Sequence, residues 1–358
     1  DQITGTVLSP QGGMVAQSTS TPRSRRRRAL DLLLIVVFVI GMLLIFLWFW
    51  PLGLDHGAPV AAEAYTYPDA MGAVSAAVQE AGGEVNPLCH TRALTRGAAS
   101  DHVVVIFHGM GTCPQQFADF AQMLMGRGAN VLLVRLPQHG LADRLTDAPA
   151  NSSAEQALAE AGHWVDVAHG LGEKVTVLGF SSGAGIAAHL AATRGDIDRA
   201  VIVAPLVGVQ ALPAAGTRPI STLARLLPNW WGWFNPSLKE KVEGPTYTYP
   251  RYASRALAEY LRIGLKGVEL AGARPPATTD IRVVLNGSDE VVRNEMGRAL
   301  VDGWRAHGLD VPLYEFPAGI GLKHDMIDPG QPYQQVGAVY PVLLEAVTAD
   351  EPLFPDAQ

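Results

Sequence analysis

Cysteine is almost missing from this sequence, which has only Cys89 and Cys113 and no C-x-x-C pair among its 358 residues. This scarcity argues against a structural zinc site, which needs several such ligands at close spacing. No repeat of fixed period stands out, so nothing points to a repeat architecture. Charged residues are also few, at 17%, against 48% hydrophobic residues. That balance suits one large globular domain or two small ones.

Positive charge is concentrated near the N-terminus. Residues 1–50 hold five arginines against two aspartates and carry +3 of the net charge of −7, so the remainder carries −10. An acidic globular part argues against a nucleic-acid partner, since phosphate binding needs a basic face.

One long hydrophobic run is present, at residues 32–50, and it follows the arginine cluster at 23–28. As a helix it would be about 28 Å long, close to the ~30 Å hydrocarbon core of a bilayer. We expect residues 1–28 to be a disordered basic tail and residues 29–51 to be an uncleaved transmembrane signal anchor. A cleavable signal peptide is an alternative, although its apolar region is usually about 7–15 residues long. A buried core helix is the less favoured alternative, because such a helix would have to be apolar all round.

The arginine cluster predicts the orientation of this anchor. Positive residues stay on the cytoplasmic side, so a single-pass membrane protein is expected, with its main domain extracytoplasmic (periplasmic or extracellular). In an oxidising compartment, two lone cysteines tend to pair. A Cys89–Cys113 disulfide is therefore predicted, and two free buried thiols are the alternative.

Beyond residue 66, short aliphatic runs alternate with helical patterns. Residues 52–66 form a Pro/Gly/Ala linker, residues 67–350 are predicted to form one domain, and residues 351–358 form a tail. The aliphatic runs predict strands at 103–107, 131–134, 175–178, 200–204, 281–285 and 311–316. The alternation predicts an α/β fold with a mostly parallel sheet and helices on both faces.

Residues 206–276 interrupt this alternation with a composition rich in aromatic residues and proline. The segment lies between two core strands, so we expect it to project from the C-terminal edge of the sheet as a helical cap or lid. As a group, its aromatic side chains are candidates for lining a ligand site, although any single one fits the cap's own core better. The candidates are Trp230, Trp231, Trp233 and Phe234.

The strand predicted at 175–178 leads into Gly179-Phe-Ser181-Ser-Gly183, a G-x-S-x-G pattern followed by small residues with helical spacing. Strand, sharp turn and helix are the context in which this pattern marks a nucleophile elbow. A side chain at position 179 or 183 would collide with the neighbouring strand or helix. The alternative is a Gly-Ser turn with no catalytic role.

A serine nucleophile needs a base, and the base needs a group that orients it. His324 is the candidate base, because it lies in a glycine-containing loop after the last predicted strand. Asp289 directly follows the strand at 281–285 and is the candidate acid, with Glu290 as its main rival. Ser181, Asp289 and His324 then follow the serine–acid–histidine order of the α/β-hydrolase arrangement.

Backbone amides at two strand ends complete this set. His108-Gly109-Met110-Gly111 follows the strand at 103–107, and the amides of Met110 and Ser182 are the candidate oxyanion donors. His108 is expected to be structural, hydrogen-bonded to the loop backbone.

These motifs resemble the esterase, monoacylglycerol lipase and serine-aminopeptidase-like group of the α/β-hydrolases. The matching residues are His108-Gly109, Arg135-Leu-Pro137-Gln-His139-Gly140, Gly179-Phe-Ser-Ser-Gly183, Asp289-Glu-Val-Val292 and His324-Asp. The resemblance covers residues 85–348. Gln138 replaces the glycine that is usual before His-Gly, and Ser182 stands where many lipases have His, Met or Gln.

A membrane-anchored serine hydrolase that cleaves carboxylic esters is therefore expected, with no metal or organic cofactor and with a small-molecule or lipid ester as substrate. Amide hydrolysis and acyl transfer are the close alternatives, because one acyl-enzyme serves all three reactions. A non-catalytic binding or sensor protein on the same scaffold is the alternative from another class. The oligomeric state is left open.

Overall fold

The computed structural model describes residues 22–57, 64–234 and 244–351. The chain divides into two compact units, Asp1–Phe49 and Trp50–Gln358. The first contains helix α1 (Pro22–Trp48), of which Arg27–Trp48 is long and apolar enough to cross a membrane. A membrane anchor and a signal sequence both fit this helix. Because the helix already begins at Pro22, the expected tail at 1–28 is too long; residues 1–21 lie outside the described part.

A seven-stranded sheet forms the centre of the second unit. Its strands are β1 (Arg92–Leu94), β2 (Ser100–Phe107), β3 (Asn130–Val134), β4 (Gly172–Phe180), β5 (Arg199–Val203), β8 (Asp280–Asn286) and β9 (Leu313–Phe316). They are arranged in the order β1-β3-β2-β4-β5-β8-β9, in which only β1 is antiparallel to its neighbour. The α/β prediction is confirmed, with each predicted strand present to within a few residues.

Helices cover this sheet on both faces, as the alternating pattern predicts. They are α2 (Tyr67–Ala81), α3 (Ala118–Gly126), α4 (Ala154–Ala168), α5 (Ser182–Thr193), α7 (Ser254–Ala273), α8 (Asn294–Ala306) and α9 (Val336–Thr348). Strand β3 is buried throughout, and β2 and β4 are buried from Val103 and Val175 onwards, because a parallel sheet between two helical layers meets no water.

The insertion after β5 is shorter than the predicted range of 206–276. Helix α6 (Ala214–Leu226) and the antiparallel pair β6 (Trp231–Trp233) and β7 (Arg251–Ala253) belong to it. In contrast, α7 packs against α5 and α8 and buries most of its residues. Its Gly264 packs so closely that an added Cβ would lie 2.2 Å from the Leu206 carbonyl oxygen. Helix α7 is therefore a crossover helix of the main fold. The insertion, which we call the cap after its predicted role, ends at β7.

The predicted linker at 52–66 is also shorter, because its first part packs on the rest of the second unit. Leu52 is buried, its carbonyl accepts a hydrogen bond from Arg262, and the Leu54 carbonyl accepts one from His189 at 2.8 Å. The ammonium group of Lys266 pairs with Asp55. Residues 58–63 lie outside the described part, and α2 begins at Tyr67, where Thr66 caps it.

Candidate active site

Ser181 occupies a strained turn between β4 and α5. Its φ of 55° lies in the left-handed region that L-residues rarely adopt. Two hydrogen bonds hold the turn, from the Ser181 amide to the Val203 carbonyl and from the Leu206 amide to the Ser181 carbonyl, both at 2.9 Å. Backbone strain held in this way at one buried, hydroxyl-bearing residue is typical of functional sites.

The two glycines that flank the serine have no space for a side chain. A Cβ on Gly179 would lie 2.1 Å from the carbonyl oxygen of Gly183, and a Cβ on Gly183 would lie 2.1 Å from the carbonyl oxygen of Phe107. Both obstacles are backbone, which cannot rotate away as a side chain can. The sharp turn therefore requires glycine at both positions.

Three predicted side chains, from the ends of β4, β8 and β9, form one hydrogen-bonded series. Ser181 Oγ lies 2.9 Å from His324 Nε2, and His324 Nδ1 lies 2.7 Å from Asp289 Oδ2. An ionised carboxylate only accepts hydrogen bonds, so His324 Nδ1 donates to Asp289 and its Nε2 is left to accept from the serine hydroxyl. This arrangement can draw a proton from Ser181.

Asp289 is buried yet stays ionised. Burial alone would raise the pKa of its carboxyl, but attraction to His324 and hydrogen bonds from His324, Val292 and Val291 hold that pKa below its usual value. The two backbone amides donate to Asp289 Oδ1 at 2.8 and 2.9 Å, which leaves Oδ2 for the imidazole. Its rival, Glu290, instead pairs with Lys323 on the surface at 2.8 Å.

Residues 108–111 follow β2 directly, and we call them the oxyanion loop after the role that the sequence predicts for the Met110 amide. His108 is buried, and burial holds its pKa well below the usual value, so the ring is neutral. Its Nδ1 donates to the Gly109 carbonyl at 2.8 Å, while its Nε2 accepts from the Leu136 amide at 3.1 Å. The Gly109 carbonyl belongs to the same peptide unit as the Met110 N–H, so His108 fixes the direction of that donor.

Ser182 is the first residue of α5, where amides have no partner within the helix. Its N–H and that of Met110 are the two donors that the sequence predicts for an oxyanion. The Ser182 side chain is buried and its Oγ has no hydrogen-bond partner in the described part of the chain.

The segment 135–140 packs beneath the oxyanion loop. The His108 and His139 rings meet edge to face, with centroids 5.3 Å apart. Gln138 has a φ of 64°, in the left-handed region that favours glycine, which gives a physical reason for the glycine usual at this point of the motif.

The structure joins Cys89 and Cys113 in a disulfide, with the two Cα atoms 5.3 Å apart. Both cysteines are fully buried, and Gly140 packs so closely on them that an added Cβ would lie 2.6 Å from Cys89 Cβ. Because Cys113 is two residues beyond Gly111, the bridge ties down the end of the oxyanion loop.

The four aromatic candidates of the cap have different surroundings. The ring of Phe234 lies against Gly111, and its centroid is 5.2 Å from that of Tyr252. Trp231 stacks under the guanidinium of Arg251 at 3.9 Å, within the β6–β7 pair. Trp230 is half exposed, and Trp233 is partly buried. Of the four, Phe234 contacts the oxyanion loop and Trp231 contributes to the cap's own packing.

Tertiary contacts add residues that the sequence motifs do not reveal. Tyr249 of the cap donates its amide to the Gly111 carbonyl at 2.7 Å, and its hydroxyl accepts from the Leu141 amide at 2.9 Å. Gln116 bonds to both Gly109 and Asp325. No local pattern marks Tyr249 or Gln116, and Asp325 stood out only as a neighbour of His324.

No group of three or more His, Cys, Asp or Glu side chains within 22–57, 64–234 and 244–351 is arranged to hold a metal ion.

The sequence of this chain matches a known protein family. Residues 98–316 match the family described as serine aminopeptidase, S33. No curated protein is significantly similar to the chain in sequence.

Solved structures with the same fold include three lipolytic enzymes. One is a metagenome-derived lipolytic enzyme of the pair LipS and LipT. It is 15% identical, with a TM-score of 0.54, and the match covers 74% of this chain and 99% of that one. The monoacylglycerol lipase of Paleococcus ferrophilus is 19% identical, with a TM-score of 0.55 and coverages of 72% and 98%. The monoglyceride lipase of Saccharomyces cerevisiae is 12% identical, with a TM-score of 0.54 and coverages of 74% and 94%. Since the family match spans more than half of the chain, this protein belongs to the serine aminopeptidase S33 family of α/β-hydrolases.

Proposed function

We propose that this protein is a serine hydrolase that cleaves carboxylic esters through an acyl-enzyme. The observation that carries the proposal is the hydrogen-bonded series from Ser181 through His324 to Asp289, at 2.9 and 2.7 Å. Family membership supports a hydrolase in general, whereas the ester bond and the roles of these residues are our inference.

In the acylation step, Ser181 Oγ attacks the ester carbonyl carbon while His324 Nε2 takes the hydroxyl proton. The carbonyl oxygen becomes an oxyanion, which the amides of Met110 and Ser182 stabilise. The C–O bond to the alcohol then breaks, and His324 returns its proton to the leaving oxygen. Water repeats the sequence on the acyl-enzyme, releasing the acid and restoring Ser181. Asp289 keeps the imidazole in the tautomer that accepts at Nε2.

The cap and the N-terminal helix support an apolar acyl group. Phe234 lies against Gly111, so an apolar side chain flanks the oxyanion loop. Helix α1 supports a protein held at a membrane, where lipid esters are available. The similar structures belong to lipolytic enzymes, in agreement with this class, but at 12–19% identity they show the fold alone.

Activity of the full chain in detergent micelles tests the proposal. Wild type should hydrolyse p-nitrophenyl esters and react with a fluorophosphonate probe, whereas Ser181→Ala should do neither. Ser75→Ala is the control and should match wild type, because Ser75 lies on the exposed face of α2. Ester, glyceride and aminoacyl-amide substrates should be compared directly, because the family description names an aminopeptidase. Faster turnover of the amides would replace the ester proposal with amide hydrolysis. Absence of labelling of the wild type would contradict both ester and amide hydrolysis.

The location of the catalytic unit is a separate proposal, supported by the arginines in the first turns of α1 and by the buried disulfide. We place the N-terminus in the cytoplasm and the catalytic unit outside it. An alkaline phosphatase fused after residue 351 should be active in bacterial cells, because that reporter folds only outside the cytoplasm. A fused β-galactosidase, which works only inside, is the control, and activity of that fusion alone would reverse the orientation.

A further inference from the structure

Gln116 joins two loops of the catalytic site that are far apart in sequence. It lies on the 3₁₀ turn Pro114–Phe117 and is 1% exposed. Its Oε1 accepts a hydrogen bond from the Gly109 amide at 3.0 Å, and its Nε2 donates to Asp325 Oδ1 at 2.8 Å. Asp325 directly follows the candidate base His324. One buried amide side chain thus connects the oxyanion loop with the loop of the base.

Asp325 is held from both sides. Its Oδ1 accepts from Gln116, and its Oδ2 accepts from Gln331 Nε2 at 2.8 Å. Neither Gln116 nor Asp325 belongs to the hydrogen-bonded series of Ser181, His324 and Asp289, so the mechanism above leaves this connection without a role. Because the connection lies between these two loops, it can set their relative position.

Gly109 is the point at which the connection bears on the reaction. Its amide is fixed by Gln116, and its carbonyl by His108 Nδ1 at 2.8 Å. Glycine has more backbone freedom than any other residue, so a free Gly109 would let the Gly109–Met110 peptide rotate. Such a rotation would turn the Met110 N–H away from an oxyanion. Fixing both sides of Gly109 holds that donor in one direction.

We propose that Gln116 and Asp325 are positioning residues that lock the oxyanion loop to the loop of the base. The amide of Met110 and the ring of His324 act on the same tetrahedral centre, so an error in their relative position weakens both. An oxyanion donor must come within about 2.7–3.1 Å of the developing charge. This inference rests on the proposed serine hydrolase function.

A competing role is purely electrostatic, since a carboxylate beside His324 also stabilises a protonated imidazole. An exchange of the two functional groups separates the two roles. In Gln116→Glu/Asp325→Asn, the glutamate can accept from Gly109 and from the new asparagine amide, whose oxygen can accept from Gln331. All three hydrogen bonds are then available with the charge moved away from His324.

The experiment compares kcat and KM for a p-nitrophenyl ester, using the full chain in detergent micelles. We expect Gln116→Glu and Asp325→Asn each to lower kcat by about 10- to 100-fold, the scale of a misplacement near 1 Å, with KM changed less than about threefold. The double variant should return to within about threefold of wild type. Gln115→Glu, on the same turn but facing Arg92, is the matched control and should behave as wild type.

A transition-state analogue gives a readout that simple loss of stability would not move. Affinity for a trifluoromethyl ketone, which forms a tetrahedral adduct with the serine, should fall in parallel with kcat/KM in the single variants and recover in the double one. Should Gln116→Glu fail to fold, the uncharged Gln116→Met variant should lose kcat similarly, without rescue by Asp325→Asn.

Single variants that fold and keep wild-type kcat would overturn the positioning role. So would a double variant as slow as the single variants, because it would assign the effect to the charge beside His324. Both results require an active wild type. A wild type that neither hydrolyses esters nor reacts with the fluorophosphonate probe would instead mean that the proposed function itself has failed.

Discussion

The serine elbow and the oxyanion loop lie at the same edge of the sheet, but different contacts hold them. Residues near in sequence and the adjoining strand fix the elbow: Gly179 and Gly183 allow the close turn, and Val203 bonds to the Ser181 amide. The oxyanion loop is held by the ring of its own His108 and by groups outside the loop. These groups are the Gln116 side chain, the Tyr249 amide and the Cys89–Cys113 bridge.

This difference determines how each segment should respond to substitution. Backbone hydrogen bonds and glycine contacts survive most substitutions, so the elbow can be damaged only at a few positions. The oxyanion loop depends on several separate side chains, each replaceable by mutation or, for the disulfide, by reduction. We therefore expect graded losses of activity from substitutions around the loop, and near-complete losses from substitutions at the elbow, His324 or Asp289.

The largest expected effect is that of Asp289→Asn. An amide at this position can donate to His324 and favour the wrong tautomer, so kcat should fall by about 10⁴-fold while the fold is kept. Stopped-flow or extended ester assays measure the residual rate, and Glu290→Gln is the matched control because Glu290 pairs with Lys323 at the surface. Activity near that of wild type would remove Asp289 from the proposed triad.

Gly183→Ala tests whether the elbow tolerates any side chain. The added Cβ would lie 2.1 Å from the Phe107 carbonyl oxygen and 2.8 Å from that of His108. We expect the free energy of unfolding to fall by about 3 kcal/mol or more, at the upper end for overpacking. Gly126→Ala, where an added Cβ has nothing within 4 Å, is the control for the urea titration. Equal stability of the two variants would contradict a rigid elbow.

Removal of the disulfide tests the support of the oxyanion loop. Cys89→Ala/Cys113→Ala opens a loop with a sequence separation of 24 and should cost about 3 kcal/mol of unfolding free energy. Because the bridge holds the segment after Gly111, kcat should fall as well, while fluorophosphonate labelling should persist at a reduced rate. Mass spectrometry without reductant should find the two cysteines joined in the native chain. Unchanged kcat in a folded double variant would show that the other contacts suffice.

The smallest expected effect concerns acid sensitivity beneath the loop. Burial lowers the pKa of His139 from 6.5 to about 4, so the unfolded chain binds the extra proton more readily than the folded one. Above about pH 6.5, His139 is neutral in both states and its burial costs no stability. As the pH falls towards 4, the unfolded state takes up the proton first, so the free energy of unfolding declines. Urea titrations of wild type and His139→Asn should show a shallower decline for the variant over that window. Equal slopes would assign the decline to other groups, His108 among them.

Much of the fold and part of the site follow from local sequence. Aliphatic runs of strand length predict the parallel strands, because buried strands must be apolar on both faces. The G-x-S-x-G pattern predicts the elbow, because no other residue type fits at Gly179 and Gly183. Local sequence does not show where the cap ends. Helix α7 follows an aromatic-rich segment, and only its packing against α5 and α8 shows that it belongs to the main fold.

The choice between Asp289 and Glu290 shows where local sequence stops being enough. Both residues follow the same strand, and only the tertiary structure turns one towards His324 and the other towards Lys323. The same holds for the linker, where Arg262 and His189 bind residues 52–54 across more than a hundred positions of the chain. Contacts between distant segments depend on how the elements pack, which no local pattern records.

The sequence by itself therefore determined the sheet, the strained serine and the set of chemical groups, since each depends on residues within a few positions of one another. The tertiary structure alone decided how the oxyanion loop is joined to the loop of the base. Gln116 and Asp325 are 209 residues apart and become partners only when the ends of β2 and β9 reach the same edge of the sheet.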